Sequence, residues 1–464
     1  MEETGKKLSG FSAFMLLVCG IMFADAIASN TSTGVASLTW WIILGILYMI
    51  PTGLIIGELS SVLPDEGGIY VWIYEGLGPK WAALTSWIFF CCGLFIPVSS
   101  FVMLSDILFT LFYPEADLLI RIVVAIVLIW VMAFASTRKM SEAAWLTNLA
   151  GLIKIGLFVF CLAAGIYFLA QGNAMANEID FQTLMPSFDQ GLTYLPVILY
   201  CCTGMELASA SSEQMHNPAK MLPKVVVGVA FLAIFLNVIA SWGMMAVLPI
   251  SDIDLDLGLL DLFLVAFDSP VIYYIAGICF LFAVFAQCLA WAVGGNRGTC
   301  ESAKSGELPA ILGKEINDQP AGAIIISCIA GTLLLILYAL FAETASDLFF
   351  SLLSCGVIGS IFPYVLMFIA YQNLRKRGFM EGKGGFRAPG GIIWSWICNI
   401  IQIFTLFLMI YVPGYGWNDN VATNVIGFIA MIGTGALAIW WASNHNPGTP
   451  ADGVEAAIAE GKKA

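Results

Sequence analysis

The chain has 464 residues, 60% of them hydrophobic and 11% charged, with a mean hydropathy of +0.90, whereas soluble domains carry roughly 25% charged residues. These figures exclude a water-soluble protein and identify an integral membrane protein, in which apolar runs of about 20 residues make one polytopic helical bundle. The formal charge of −13 names no partner by itself, and no nucleic-acid partner is expected, because what matters is the side of the bilayer on which each charge lies.

The N-terminus, "MEETGKKLSG", is short and polar, and no A-x-A-like site follows the next apolar run, so the first helix is expected to remain in the mature protein. Apolar runs read against their polar breaks predict about twelve spans, near 12–36, 38–63, 81–112, 118–136, 144–170, 190–213, 224–248, 271–299, 321–341, 347–373, 391–412 and 421–443.

The first span contains "MFADAIASNTSTG", which places Asp25, Ser29, Asn30, Thr31, Ser32 and Thr33 inside an apolar run. An ionised group at the centre of a spanning helix costs roughly 2.5 to 3.5 kcal/mol, so Asp25 is expected to face protein or water. In the fifth span Lys154 stands about ten residues from the nearest loop and needs a partner or a wet cavity for the same reason. The sixth span is interrupted by "YCCTGMELASASSE", with Tyr200, Cys202, Thr203, Gly204 and Glu206. In the eighth, Gln287 and Trp291 fall one turn apart and share a face. Ser351, Ser354 and Cys355 in the tenth are weaker candidates, and the tail after residue 443 is polar.

Interruptions in the first and sixth spans occupy corresponding places in two inverted halves of five helices each. A broken helix at the midplane frees backbone groups that hydrocarbon cannot satisfy. A bound solute can satisfy them: a half-helix N-terminus favours a carboxylate, and freed carbonyls favour an ammonium. Small residues such as Ala24, Ala26 and Gly204 admit a ligand close to the backbone. The pattern fits a small zwitterion or amine. The plainer alternative is that the hydroxyls bond back to the preceding turn and the glycines serve packing.

Of the 19 Lys and Arg residues, all but Arg121 and Lys154 fall on one face of the bundle, and the opposite loops hold acids such as Glu115, Asp117, Asp252, Asp254 and Asp256. The positive-inside rule therefore places both termini in the cytoplasm. Arg121 is expected to snorkel at the outer end of the fourth span. The twelve cysteines have no CxxC or metal spacing, so no metal or other cofactor is expected.

"GELSSVLPDEGGIYVWIYEGLGPKWAALTSW" (57–87), "TGMELASASSEQMHNPAKMLPK" (203–224) and "WAVGGNRGTCESAKSGELPAIL" (291–312) resemble motifs of the amino acid, polyamine and organocation transporter superfamily. "LYMIPTGLIIGEL" and "AVLPISDIDLDLGLLDLF" look most like its bacterial glutamate/GABA antiporter branch. The resemblance implies an all-α membrane protein with a five-plus-five inverted repeat, the leucine-transporter fold, followed by two further helices. The expected organisation is an N-terminus over 1–11, a ten-helix core over 12–373 with halves near 12–170 and 190–373, two helices over 391–443 and a cytoplasmic tail over 444–464. It implies proton-coupled uptake or exchange of amino acids and related amines in a bacterial inner membrane. The first-span "FADAIASN" replaces a Gly-Ser-Gly-like break, and Gln287 stands where the branch has an acid.

Within that frame, Ala24, Asp25, Ala26, Ser29, Tyr200, Cys202, Thr203, Gly204, Glu206, Gln287 and Trp291 are the expected substrate-binding residues. Asp25 is assigned the substrate ammonium, which favours amines or cationic amino acids over acidic ones; the alternative is a local cap. Glu206 is either a structural acid or a group that titrates during transport. Lys154 resembles a fifth-span lysine that some members place where sodium-coupled relatives bind a cation, and it is either a proton-coupling group or a permanently charged lysine on a first-span carbonyl. With only His216 and His445, and no intramembrane HExxH or GxSxG, no enzyme is expected. A channel lacks its filter sequence, and a solute-sensing receptor of the same fold is the remaining alternative.

Overall fold

The structure, a computed structural model, describes residues 8–138, 140–186, 198–339, 345–411 and 421–445. The described residues contain helices and no strand, as expected where hydrocarbon obliges each segment to satisfy its own backbone. Ten of the helices are long and apolar enough to cross a membrane.

Helix α1 (Gly10–Ile21) starts where Ser9 Oγ accepts the Ser12 N–H at 3.1 Å. After a short 3-10 turn over Ala24–Ala26 the first span resumes as α2 (Ile27–Ser32). The second span consists of α3 (Ser37–Leu44), a π-helical turn over Gly45–Met49 and α4 (Ile50–Val62). The short α5 (Ile69–Leu77) leads into α6 (Pro79–Phe112), α7 (Leu118–Ser136) and α8 (Met140–Ala170), the third to fifth spans. Helix α9 (Phe181–Leu184) is a surface turn held by an Asp180 capping box.

Of the expected sixth span, 190–197 lies outside the described residues; helix occupies 198–200, and a 3-10 stretch runs over Met205–Gln214. Then come α10 (Pro218–Val247), the short α11 (Gly258–Phe267), α12 (Pro270–Lys304), α13 (Ala321–Ala339), α14 (Ala345–Lys376), α15 (Gly391–Tyr411) and α16 (Val421–His445).

Several helices outrun the apolar text. The seventh span begins at Pro218, six residues before the expected 224, because left-handed Asn217 (φ 53°) hands over to a proline at the first helical position. The 35 residues of α12 rise about 52 Å. That exceeds a hydrocarbon core of about 30 Å, so part of the helix stands outside the core, and its polar part is the C-terminal end.

Helix α6 packs along α14 and α12, and α8 packs along α10 and α1. The α8–α10 crossing is a backbone contact: a β-carbon at Gly243 would lie 2.1 Å from Cys161 O, and one at Gly165 would lie 2.8 Å from the Gly243 Cα. Only small residues permit such an approach, which is how helices gain contact where lipid supplies no hydrophobic drive. Arg121 reaches back to the loop that precedes its span, donating to Ala116 O at 3.0 Å and Pro114 O at 2.9 Å, and it also pairs with Asp106 at 2.7 Å.

The Lys/Arg-bearing face is tied by buried ion pairs. Glu58 in α4 is 2% exposed, and one of its oxygens takes the Arg375 guanidinium at 2.5 Å, the Tyr371 hydroxyl at 2.7 Å and the Ala388 N–H at 3.0 Å. Those three bonds hold α4, the end of α14 and the approach to α15 together. Nearby, Arg297 of α12 pairs with Glu66 at 3.1 Å and Glu315 at 3.0 Å. Glu315 also takes Lys304 at 2.7 Å, and Lys304 reaches Glu301 at 3.0 Å, so both carboxylates beside Cys300 already face a cation of the chain.

Two stability outcomes follow. Glu58→Ala removes the acceptor shared by Arg375, Tyr371 and Ala388 N–H and is expected to cost about 1 to 3 kcal/mol for each buried group left unsatisfied, read as a lowered thermal unfolding midpoint in detergent. In the loop after α12, burial lifts the Glu307 carboxyl to about 7, despite hydrogen bonds from Tyr70 at 3.1 Å and Ser302 at 3.2 Å that favour its charged form. A carboxyl raised on folding holds its proton more tightly in the native state, so stability falls as pH rises from 4.5 through about 7. The unfolding midpoint should decline across that window, and Glu307→Gln should remove this decline.

Candidate functional site

The chain leaves the α-helical path in both interrupted spans. Helix α1 ends at Ile21, and Met22 (ψ 88°) and Phe23 (ψ 85°) are not helical. In the sixth segment Cys202 and Thr203 N–H close turns onto Leu199 O and Tyr200 O at 3.0 Å, and Gly204 then adopts φ +99°. The two breaks face each other. A β-carbon on Gly204 would stand 2.9 Å from Ile21 Cγ2 and 2.8 Å from Trp291 Cζ2, so both conformation and space exclude any other residue.

Two of the carbonyls freed at the end of α1 are taken by side chains from other spans. Lys154 Nζ donates to Cys19 O at 2.6 Å, and Trp291 Nε1 donates to Gly20 O at 2.9 Å. A lysine at a helix C-terminus also meets the negative end of the helix dipole. Lys154 is 0% exposed, and its ammonium donates in addition to Gln287 Oε1. The Gln287 amide nitrogen in turn donates to both oxygens of Asp25, at 3.3 and 3.2 Å. Ammonium, amide and carboxylate thus form a relay from the fifth span through the eighth to the first.

Asp25, Ala26 and Ser29 are half-buried, whereas Ala24 is enclosed. Phe23 lies tilted against Tyr200 with ring centroids 4.8 Å apart and 6.4 Å from Trp291, giving an aromatic wall beside the carboxylate. The hydroxyls of Thr31, Ser32 and Thr33 donate to the carbonyls of Ile27, Ser29 and Asn30 in their own turns. Those three follow the plainer alternative, and Asp25 and Ser29 are what the stretch presents outward.

Thr203 Oγ1 donates to Tyr200 O at 2.7 Å, and Cys202 is fully buried beside Tyr48. The neighbouring Cys201 takes the Asn30 amide N–H at 3.3 Å. Glu206 lies on the other side of Gly204. One of its oxygens accepts the Tyr364 hydroxyl proton, and Tyr364 Oη accepts the Gly204 N–H at 2.6 Å. The site therefore has two parts: the Asp25 relay, and a Glu206–Tyr364–Gly204 clasp. The side chains of Ser351, Ser354 and Cys355 lie outside the described residues.

Asn30, Cys201 and Tyr364 were missed by sequence reasoning. Asn30 lay within the polar stretch and had a signal of its own. Tyr364, next to Pro363 in an apolar run, had none that distinguishes it from a packing aromatic.

Two opposed helix breaks around a half-buried carboxylate, in an all-helical bundle closed at one face, define a membrane carrier. Residues 8–437 match the amino acid permease family. The chain belongs to that family, and it is a multi-pass membrane transporter.

Similar proteins include a probable agmatine/putrescine antiporter of Lactococcus lactis, 28% identical over 383 residues and covering 81% of each chain. A glutamate/gamma-aminobutyrate antiporter of the same species is 24% identical over 457 residues, covering 93% of this chain and 89% of its own. An uncharacterized transporter of Legionella pneumophila is 24% identical over 442 residues, covering 92% and 91%. These relatives are transporters and not enzymes.

Two substitutions separate the parts of the site. Gly204→Ala should abolish transport and lower the unfolding midpoint, since its methyl meets Trp291 and Ile21 below 3 Å. Lys154→Ala leaves Cys19 O and Gln287 Oε1 without a donor, a loss of about 1 to 3 kcal/mol for each unsatisfied group. Its thermal midpoint should fall. Transport that keeps its normal pH dependence in this variant would assign Lys154 to capping alone.

Proposed function

We propose that the chain exchanges amines or cationic amino acids across a bacterial inner membrane by alternating access, with Asp25 binding the substrate ammonium. One observation carries this reading. Asp25 is half-buried at the helix break, and its direct hydrogen-bond partner, Gln287, is an uncharged amide at 3.2 to 3.3 Å. A carboxylate has about four acceptor positions, so it retains capacity for an incoming ammonium in a low-dielectric wall. Phe23, Tyr200 and Trp291 supply an aromatic surface beside that cation.

The charge of Asp25 opposes an acidic substrate, which supports the amine reading over exchange of acidic amino acids and GABA. The similarity to a probable agmatine/putrescine antiporter agrees in substrate sign. The similarity to glutamate/gamma-aminobutyrate antiporters keeps acidic amino acids as the second reading.

In this proposal the halves near 12–170 and 190–373 rock about the opposed breaks, and the helices over 391–443 stand outside that core. Both termini lie on the Lys/Arg-bearing face, the cytoplasmic one. Lys154 and Glu206 are the proton-coupling residues, Lys154 through its hold on the end of α1 and Glu206 through the clasp with Tyr364.

The test is competition uptake into proteoliposomes, with agmatine, putrescine, arginine, glutamate and GABA as competitors. The amines should compete best. Asp25→Asn should weaken amine binding by roughly ten- to a hundredfold, the equivalent of one charge-assisted hydrogen bond of about 1.5 to 3 kcal/mol, with the unfolding midpoint little changed. Competition by glutamate alone, or amine affinity unaltered in Asp25→Asn, overturns the proposal.

A further inference from the structure

Below the clasp lies a cavity of about 20 Å³ between the loop before α5, α6, the sixth segment and α12. Glu66, Ser86, Glu206, Ser209 and Gly295 stand in its wall. Two of these side chains hold a buried oxygen with no protein partner: Oε1 of Glu206, which is 7% exposed, and Oγ of Ser86, which is 2% exposed. The other Glu206 oxygen is taken by Tyr364. An unsatisfied carboxylate oxygen inside a protein is costly, and a polar space above about 10 to 15 Å³ holds a water. The space is far too small for an amino acid.

We propose that this cavity is a water site bonded by Glu206 Oε1 and Ser86 Oγ, through which the Glu206 carboxyl exchanges its proton with the Lys/Arg-bearing face. Glu66, which lines the cavity, pairs with Arg297 of α12 at 3.1 Å and so ties the loop before α5 to α12. On release, the proton leaves Oε1 for the water oxygen, and the water passes one of its own protons on toward the solvent beyond Glu66. The carboxylate left behind keeps the Tyr364 O–H bond on Oε2. Uptake runs the same steps in reverse. The titratable and charged groups facing Glu206 are Tyr364 from α14, Tyr48 of the second span behind it, and Glu66 with Arg297 across the cavity.

This deepens the reading in which Glu206 couples transport to protons, but its test needs no substrate. Infrared spectra of the purified full-length protein identify the Glu206 carboxyl band by its loss in Glu206→Gln, and transfer into deuterated buffer then times its hydrogen exchange. A β-carbon at Gly295 would meet only Trp291 Cε3, at 3.6 Å, so Gly295→Ala occupies room without a clash and should slow exchange about tenfold by displacing the water. Ser86→Ala removes one of the water's partners without adding volume and should slow exchange less. It decides the matter if Gly295→Ala does not fold. Gly156→Ala, which meets no atom within 4 Å, should exchange as wild type. Equal rates in wild type, Gly295→Ala and Ser86→Ala overturn the proposal, as does the absence of any carboxyl band that Glu206→Gln removes. Failure of amine competition with the exchange result intact would remove the substrate reading alone.

Discussion

The structure depends on how the broken end of α1 is satisfied. A helix that stops inside a bilayer exposes carbonyls to a medium that offers them no donors. Lys154 and Trp291 answer this need from two different spans, reaching Cys19 O and Gly20 O. Because the same lysine also holds Gln287, and Gln287 holds Asp25, capping the helix and orienting the carboxylate are one arrangement. Moving α1 away from α8 therefore disturbs the carboxylate as well as the cap.

The two ends of the molecule are unequal. On the Lys/Arg-bearing side, Glu58 with Arg375 and Glu66 with Arg297 are buried pairs that bind the second, eighth and tenth spans and the loop before α5. A buried pair contributes little net stability over an apolar substitute, but breaking it is expensive. Such pairs suit a closed end that must open only when several contacts release together. Asp25, Ala26 and Ser29, by contrast, are half-buried, and no ion pair ties them to a neighbouring span among the described residues.

Much of this was legible in the sequence. Apolar runs located most of the described spans to within a few residues, because hydrocarbon imposes both length and composition. Asp25, Lys154 and Glu206 stood out because charge in such runs demands a reason, and the four-residue spacing of Gln287 and Trp291 put them on one face. The pairings were not legible. Nothing in the text joins Tyr364 to Glu206, Asn30 to Cys201, or the Glu58 oxygen to the Ala388 N–H, since these contacts depend on how distant helices cross. The bond from Lys154 to a first-span carbonyl was one of the two readings its place in the fifth span allowed, whereas the bond from Trp291 to Gly20 O had no mark in the text.

The glycine crossing of α8 and α10 has a mechanical corollary. Where backbones touch at Gly165 and Gly243, the two rods have a fulcrum that resists compression and tolerates tilt. Lys154 stands eleven residues from Gly165, a lever arm of about 16 Å. A tilt of about 10° at the pivot sweeps the ammonium through about 3 Å, enough to pull it off the Cys19 carbonyl. In the rocking proposed above, a tilt too slight to alter the bundle's outline would uncap the first helix.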